Sequence, residues 1–394
     1  YKNDKAISEA SVVARLRDVD QLEFVRGKEY IYSLKDEIPS KYFFGPYIKE
    51  LKELAYKRMV VEASQKLIED VESGEDINTS LDKFERSTEV TESEEASGTL
   101  GEIMSEIFNE VDGGKPIDKT LTGIPIVDEC TNGLAKGELV TIGAKSGKGK
   151  SALAVRIAVN MFRDDKKVLI VSREMSKKQI GERILLAHSG VTKENYEKRT
   201  LSENDWVRIV ETTEAFNTDQ IIIDDKIATI PEIKQAVRKH KPDVLIVDYV
   251  QLLTPTNPRD SRERQVADMS RELKKMTSDF DMIVVQLTQL AEKGIGNYRP
   301  HGESYPRESR AIYHDSNIVI YVHHVEEEKE IQIAYNSTAV KERMSLHQFE
   351  EMLKRFDDND TRLMELIVDK NRSGTVGSKF YWFSGPEMSY FPVL

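Results

Sequence analysis

The stretch Leu139-Val-Thr-Ile142-Gly-Ala144-Lys-Ser146-Gly147-Lys148-Gly149-Lys150-Ser151 decides the fold. Its apolar start predicts a buried strand, and residues Ser151–Phe162 that follow have helical spacing. A strand that enters a glycine-containing turn ending in Lys-Ser, and then a helix, is the phosphate-loop pattern, with Ala144 in place of the usual first glycine. Gly147 and Gly149 let successive N–H groups converge on an anion, and the positive end of the helix dipole adds to that field. Within Ser146–Ser151, Lys150 is placed to reach β- and γ-phosphates and the Ser151 hydroxyl to ligate Mg²⁺. ATP and Mg²⁺ are the expected ligands; an ordinary glycine-rich turn is the disfavoured alternative.

Outward from this loop, short apolar runs recur at Val168–Val171, Ile221–Ile223, Val244–Val247, Ile283–Val285 and Ile318–Val322. Helical segments such as Gln265–Met276 separate them. Runs without polar alternation suit strands covered on both faces, which predicts an α/β core with a mostly parallel sheet over residues 115–394. Leu363–Asp369 and Phe380–Phe383 flank a glycine-containing turn and predict a C-terminal β-hairpin. The polar text from Glu326 to Asp360 is read as an inserted helical excursion.

Several polar residues stand at strand ends. Asp248 closes the run Asp243–Asp248, where a carboxylate beside a phosphate loop can hold a metal through its water shell; a simple strand-end cap is the alternative. Glu174, just beyond Val168–Val171, could polarise the water that attacks a γ-phosphate, or the turn could serve only to start the next helix with Ser176 as its cap. Gln289, after Ile283–Val285, is either a γ-phosphate sensor or a surface amide. Lys370 and Arg372 in the hairpin turn are ordinarily solvated charges. In a ring, a neighbour's Arg372 could reach the γ-phosphate, because a guanidinium suits bidentate contact with phosphate oxygens.

Ahead of the core, residues 42–72 and, less regularly, 12–34 have helical periodicity and predict a small all-α unit over residues 1–72. Residues 73–114 are expected to form an acidic linker carrying one amphipathic helix at 100–111. That helix has Leu100, Ile103, Ile107, Phe108 and Val111 on one face. Three turns cannot bury such a face on themselves, so it is expected to dock on its own domain or on another subunit.

The bulk numbers set limits. With 394 residues, 39% of them hydrophobic, the chain can bury a sizeable core, and no apolar run is long enough for a membrane span. A single cysteine, Cys130, excludes internal disulfides and fits a reducing cytoplasm. The net charge of −12 gives no support to non-specific coating of nucleic acid, which basic proteins achieve by releasing counterions. The absence of an initial Met is read as a sign that the natural N-terminus lies upstream.

Taken together, Ser172-Arg-Glu174-Met-Ser176 with Arg183, Val247-Asp248-Tyr-Val-Gln251, Gln286-Leu-Thr-Gln289, Arg307-Glu308-Ser309 and Lys370-Asn-Arg372-Ser-Gly374 resemble, colinearly, the DnaB-type replicative helicases. These are superfamily-four motors with a RecA-like core. The resemblance covers most of the chain and implies an ATP-dependent DNA helicase: a homo-hexamer moving 5′ to 3′ on single-stranded DNA, with a primase and a helicase loader as partners. It implies that Glu174 is the catalytic base, Gln289 the sensor, and Lys370 and Arg372 groups offered to the neighbour's ATP, with Arg183 near the nucleotide. It places Arg307, Glu308 and the neighbouring Arg310 in a loop that meets DNA phosphates. Arg310 stands where the family has glycine, and Arg173 where it has an apolar residue, as in a divergent member. A RecA-like recombinase filament and a non-catalytic, ATP-gated scaffold are the competing readings.

Overall fold

The computed structural model describes residues 12–13, 16–17, 23, 25, 27–30, 44–75, 77–88, 100–113, 118–290, 299–302, 307–357, 361–385 and 389–393. The chain divides into two compact units, Tyr1–Glu110 and Val111–Leu394.

In the first unit, helix α1 (Phe44–Glu72) packs against helix α2 (Ile77–Thr88), and the chain reverses at Gly74, whose φ is +86°. The acidic linker expected after residue 72, with its one helix at 100–111, therefore holds a further helix that was not expected. Ile77, Leu81 and Phe84 recur at helical spacing beneath the acidic composition, and Ser80, on the same face, is buried. The periodicity expected over 12–34 falls largely outside the described residues. Helix α3 (Leu100–Asp112) forms as its amphipathic pattern predicts, and Leu100, Phe108 and Val111 are exposed.

The second unit is built on a nine-stranded sheet. Its strands are β3 (Leu139–Ala144), β4 (Val168–Ser172), β5 (Ile221–Asp224), β6 (Val244–Asp248), β7 (Ile283–Gln289), β8 (Ile318–His324), β9 (Thr361–Asn371), β10 (Gly377–Ser384) and β11 (Ser389–Pro392). A two-stranded ribbon, β1 (Lys119–Thr120) with β2 (Leu134–Ala135), precedes them. The order is β11-β10-β9-β8-β3-β7-β6-β4-β5. The six strands from β8 to β5 are parallel, and β9, β10 and β11 add an antiparallel meander. This is the predicted α/β core with its hairpin.

The reason for the apolar runs is visible strand by strand. In β4, Val168 and Ile170 point into one core while Leu169 and Val171 point into another, and Val244, Ile246 and Leu245, Val247 divide the same way in β6. Helix α5 (Lys150–Arg163) covers the first face, and α9 (Ile230–His240) with α10 (Arg262–Asp279) covers the second. Between β4 and β5 lie helices α6 (Lys177–Ser189), α7 (Lys193–Lys198) and α8 (Glu203–Ala215). A short helix α4 (Pro125–Thr131) precedes β2, and α11 (Arg307–Asp315) precedes β8. The excursion after β8 folds as α12 (Glu328–Ser337) and α13 (Leu346–Asp357) over a separate small core around Phe349, Val340 and Trp382. Among the described residues, no helix is long and apolar enough to cross a membrane.

Candidate nucleotide site and the opposite edge of the sheet

The loop between β3 and α5 leaves the sheet at the carboxyl ends of the parallel strands. Gly147 and Gly149 take φ of +68° and +87°, which a side chain would resist. Gly149 is doubly constrained. A Cβ there would lie 2.7 Å from the Tyr390 hydroxyl, which donates a hydrogen bond to the Gly149 carbonyl (3.1 Å). Phe383 packs on Tyr390 at a centroid distance of 4.8 Å, so the last two strands form the back wall of the loop. Burial pushes the Tyr390 phenol well above its ordinary pKa, so it stays protonated and able to donate.

Lys150, Ser151, Glu174 and Asp248 converge in front of that wall. The buried Lys150 ammonium is paired with Glu174, lies 3.7 Å from Asp248 Oδ1 and stands 4.5 Å from the Tyr249 ring centre. The sheet arranges this meeting: Ser172, two residues before Glu174, is in register with Asp248. Asp248 lies beside the Ser151 hydroxyl, and its Oδ1 is buried with no hydrogen-bond partner. Burial raises the Asp248 pKa, and Ser151 and Lys150 oppose that rise. Ser176 caps α6 in a capping box with Gln179, so the helix-start reading of this turn is also realised, by a residue other than Glu174.

A cleft of about 840 Å³ opens over Gly147–Ser151 and Glu174, with Arg183 on its rim. Further lining residues not singled out from sequence include Tyr196, Arg199 stacked on that ring at 4.4 Å, and Arg362 at the start of β9. No local pattern marks them, because they reach the cleft from a short helix and from a strand over 200 residues downstream. The Lys148 ammonium is bound to His324 Nδ1 (2.8 Å) and Glu326 Oε1 (2.5 Å), and its backbone N–H donates to the Lys145 carbonyl (3.4 Å). Gln289 ends β7 beside Ala144, and Gln251 spans Thr288 Oγ1 (2.7 Å) and the Gln289 carbonyl (3.3 Å). Arg173 donates to the carbonyls of Asp225 and Lys226, which accounts for a cation where the family carries an apolar residue.

Lys370 and Arg372 are not at this site. Ala144 is level with Val322, and Val322 with Leu366, so Arg372 lies six residues further along β9, roughly 20 Å toward the amino ends of the parallel strands. There Lys370 Nζ donates to the carbonyls of Tyr313 (2.6 Å) and His314 (3.1 Å), and Arg372 donates to the carbonyl of His314 (2.6 Å). Arg307, Glu308 and Arg310 differ from expectation in conformation: they begin helix α11 rather than lying in a loop. Ile312 is buried and anchors that helix, and a helical backbone removes the demand for glycine at Arg310, which is exposed. The side chains of Arg307 and Glu308 lie outside the described residues.

Comparison with known proteins gives a consistent result. Residues 120–391 match the family model described as the DnaB-like helicase C terminal domain. The chain is similar to the replicative DNA helicase DnaB of Leifsonia xyli, at 28% identity over 82% of this chain and 74% of that protein. It is also similar to the DnaB of Geobacillus stearothermophilus, at 25% identity over 93% and 79%. Among solved structures, a DnaB-like replicative helicase studied for its interactions with primase aligns with a TM-score of 0.64 at 24% identity, covering 98% of this chain and 88% of that one. A second solved structure, of an ATPase domain, aligns with a TM-score of 0.62 at 23% identity, covering 76% and 100%. These two structures establish likeness of fold.

Proposed function

The chain belongs to the DnaB-like helicase family, ATP-dependent enzymes of DNA replication, and from that membership we propose that it works as a homo-hexameric ring whose ATP sites are completed between subunits. The carrying observation is the separation of charges across the sheet. Lys150, Ser151, Glu174 and Asp248 gather at the carboxyl edge, while Lys370 and Arg372 sit at the other edge, too far to serve the same nucleotide. Groups so placed are offered, in this reading, to a neighbour's ATP.

In this reading the loop amides and Lys150 hold the β- and γ-phosphates, and Lys150 gives up Glu174 as it does so. Glu174, once released, orients and deprotonates the attacking water. The donor set suits Mg²⁺: a hydroxyl from Ser151 beside a buried Asp248 oxygen that lacks a hydrogen-bond partner. Bound there with ATP, the ion would neutralise phosphate charge. Gln289, at the strand end beside the loop, senses the γ-phosphate, and Arg183 borders the nucleotide. Arg372 and Lys370 of the next subunit stabilise the charge that develops on transfer. Arg307, Glu308 and Arg310 face single-stranded DNA in the channel, with movement 5′ to 3′. The exposed apolar face of α3 docks on the adjacent subunit, and a primase and a loader act on the ring.

Mixing two inactive variants tests the shared site. Lys150→Ala and Arg372→Ala each lack one half, and mixed rings contain some interfaces with both halves intact. Recovery of DNA-stimulated ATPase on mixing is expected; no recovery in rings verified as mixed would sink the proposal. On forked DNA, unwinding should require a 5′ tail, and a requirement for a 3′ tail would overturn the polarity. Open filaments instead of closed rings in electron micrographs would favour a recombinase.

A further inference from the structure

The residues at the end of β9 do more than carry two cations: they bind Gly302 and the carboxyl end of α11. Asp369 Oδ2 accepts the Gly302 N–H (2.9 Å) before that helix and the Tyr313 hydroxyl (3.1 Å) within it. Lys370 binds the carbonyls of Tyr313 and His314 and stands 5.0 Å from the Tyr313 ring centre. Arg372 binds the His314 carbonyl through its guanidinium and the Asn317 carbonyl through its own N–H (3.1 Å). The carbonyls of residues 313 and 314 are among those that end a helix without internal partners, and they form the negative end of its dipole. Cations are the natural groups to satisfy them.

The same two side chains therefore have two employments. An Arg372 guanidinium on a neighbour's γ-phosphate has left His314, and a Lys370 ammonium that follows it has left Tyr313. The helix end they leave is four residues from Arg310 and seven from Arg307.

We propose that Asp369, Lys370 and Arg372 form a clasp on α11, and that Tyr313 and His314 are positioning residues which hold the two cations until a neighbour's nucleotide draws them off. Departure of the cations loosens the carboxyl end of α11, and the segment bearing Arg307, Glu308 and Arg310 then changes its hold on DNA. ATP bound in one subunit thereby alters the DNA grip of the next. By linkage, DNA bound by that next subunit alters the ATP affinity of the first by the same factor. The inference rests on the reading of Lys370 and Arg372 as groups offered in trans and of Arg307–Arg310 as DNA-facing.

The test compares the affinity of assembled rings for a fluorescent single-stranded oligonucleotide in ADP and in a non-hydrolysable ATP analogue. Wild-type rings should show a ratio of about five-fold or more between the two states, within the usual range of coupled sites. Arg372→Ala should bring the ratio close to one. Tyr313→Phe removes only the hydroxyl held by Asp369; it should lower the ratio. A wild-type ratio in both variants overturns the clasp, even if Arg372→Ala has lost its hydrolysis. Full hydrolysis by Arg372→Ala rings overturns instead the trans assignment beneath it. Because Tyr313→Phe keeps the backbone and nearly all the packing, the clasp remains testable should Arg372→Ala not assemble.

Discussion

At the carboxyl ends of the parallel strands the phosphate loop is backed by packed aromatic rings; at the amino ends the cations rest on backbone carbonyls. Around the phosphate loop, Gly149 is backed by Tyr390 and Phe383, and Lys150 is buried against Glu174 and Asp248. At the other edge Arg372 is exposed, and its guanidinium is satisfied by a carbonyl that water could equally satisfy. The contrast follows from what each edge must meet. A triphosphate is a small fixed target, best served by donors set in advance. In the proposed ring a neighbouring subunit arrives from outside, and side chains offered to it must be able to move.

The most damaging single change to this contrast should be Arg372→Ala. Steady-state hydrolysis in DNA-bound rings is expected to fall by about 10³- to 10⁵-fold, with binding of a fluorescent nucleotide unchanged. Undiminished hydrolysis would make the amino edge irrelevant to chemistry. Glu174→Gln should lower kcat by about 10²- to 10⁴-fold with little change in nucleotide affinity, which single-turnover measurements separate. A large loss of affinity would instead make Glu174 a structural partner of Lys150.

The rigidity of the carboxyl half can be probed through Tyr381. Its buried hydroxyl accepts the Ile126 N–H (3.0 Å), so Tyr381→Phe should cost about 1–3 kcal/mol in urea unfolding. Burial pushes this phenol's pKa up to about 12. Its contribution to stability is accordingly full below the unfolded value of about 10 and lost as pH rises through the folded one. The gap between wild type and Tyr381→Phe should narrow over that window; a constant gap would remove the hydroxyl from the account. The smallest effect belongs to the exposed Arg310. Arg310→Ala should reduce the salt slope of single-stranded DNA binding by about 0.7, the share of one phosphate contact, and an unchanged slope would place Arg310 away from the strand.

The carboxyl half was readable because its signals are local. Six apolar runs mark six parallel strands, and the loop residues are contiguous, so strand, turn and helix could be recognised without knowing what packs on them. What was missed is non-local. The Tyr390 wall comes from β11, four residues with a proline in them, too short to stand out as a strand. Helix α2 was hidden because its few apolar residues are outnumbered by polar and charged ones, and its partner α1 supplies the surface that fixes it. Lys148 belongs to the loop pattern, yet its side chain is claimed by His324 and Glu326, which no spacing rule links to it. The edge occupied by Lys370 and Arg372 depends on the register of β9 against β8, a property of two strands together.

The wall behind the phosphate loop also has a consequence in time. Tyr390 lies 241 residues downstream of the glycine it supports, so it leaves the ribosome well after that glycine. A nascent chain that has completed Ser151, Glu174 and Asp248 still lacks the tyrosine that shapes Gly149. A product released just short of β11 would contain the whole phosphate-loop sequence and a slack version of the loop. Synthesis thus delivers the ATP-binding signature early and the part that tightens it late, which delays firm capture of nucleotide until β11 has been made.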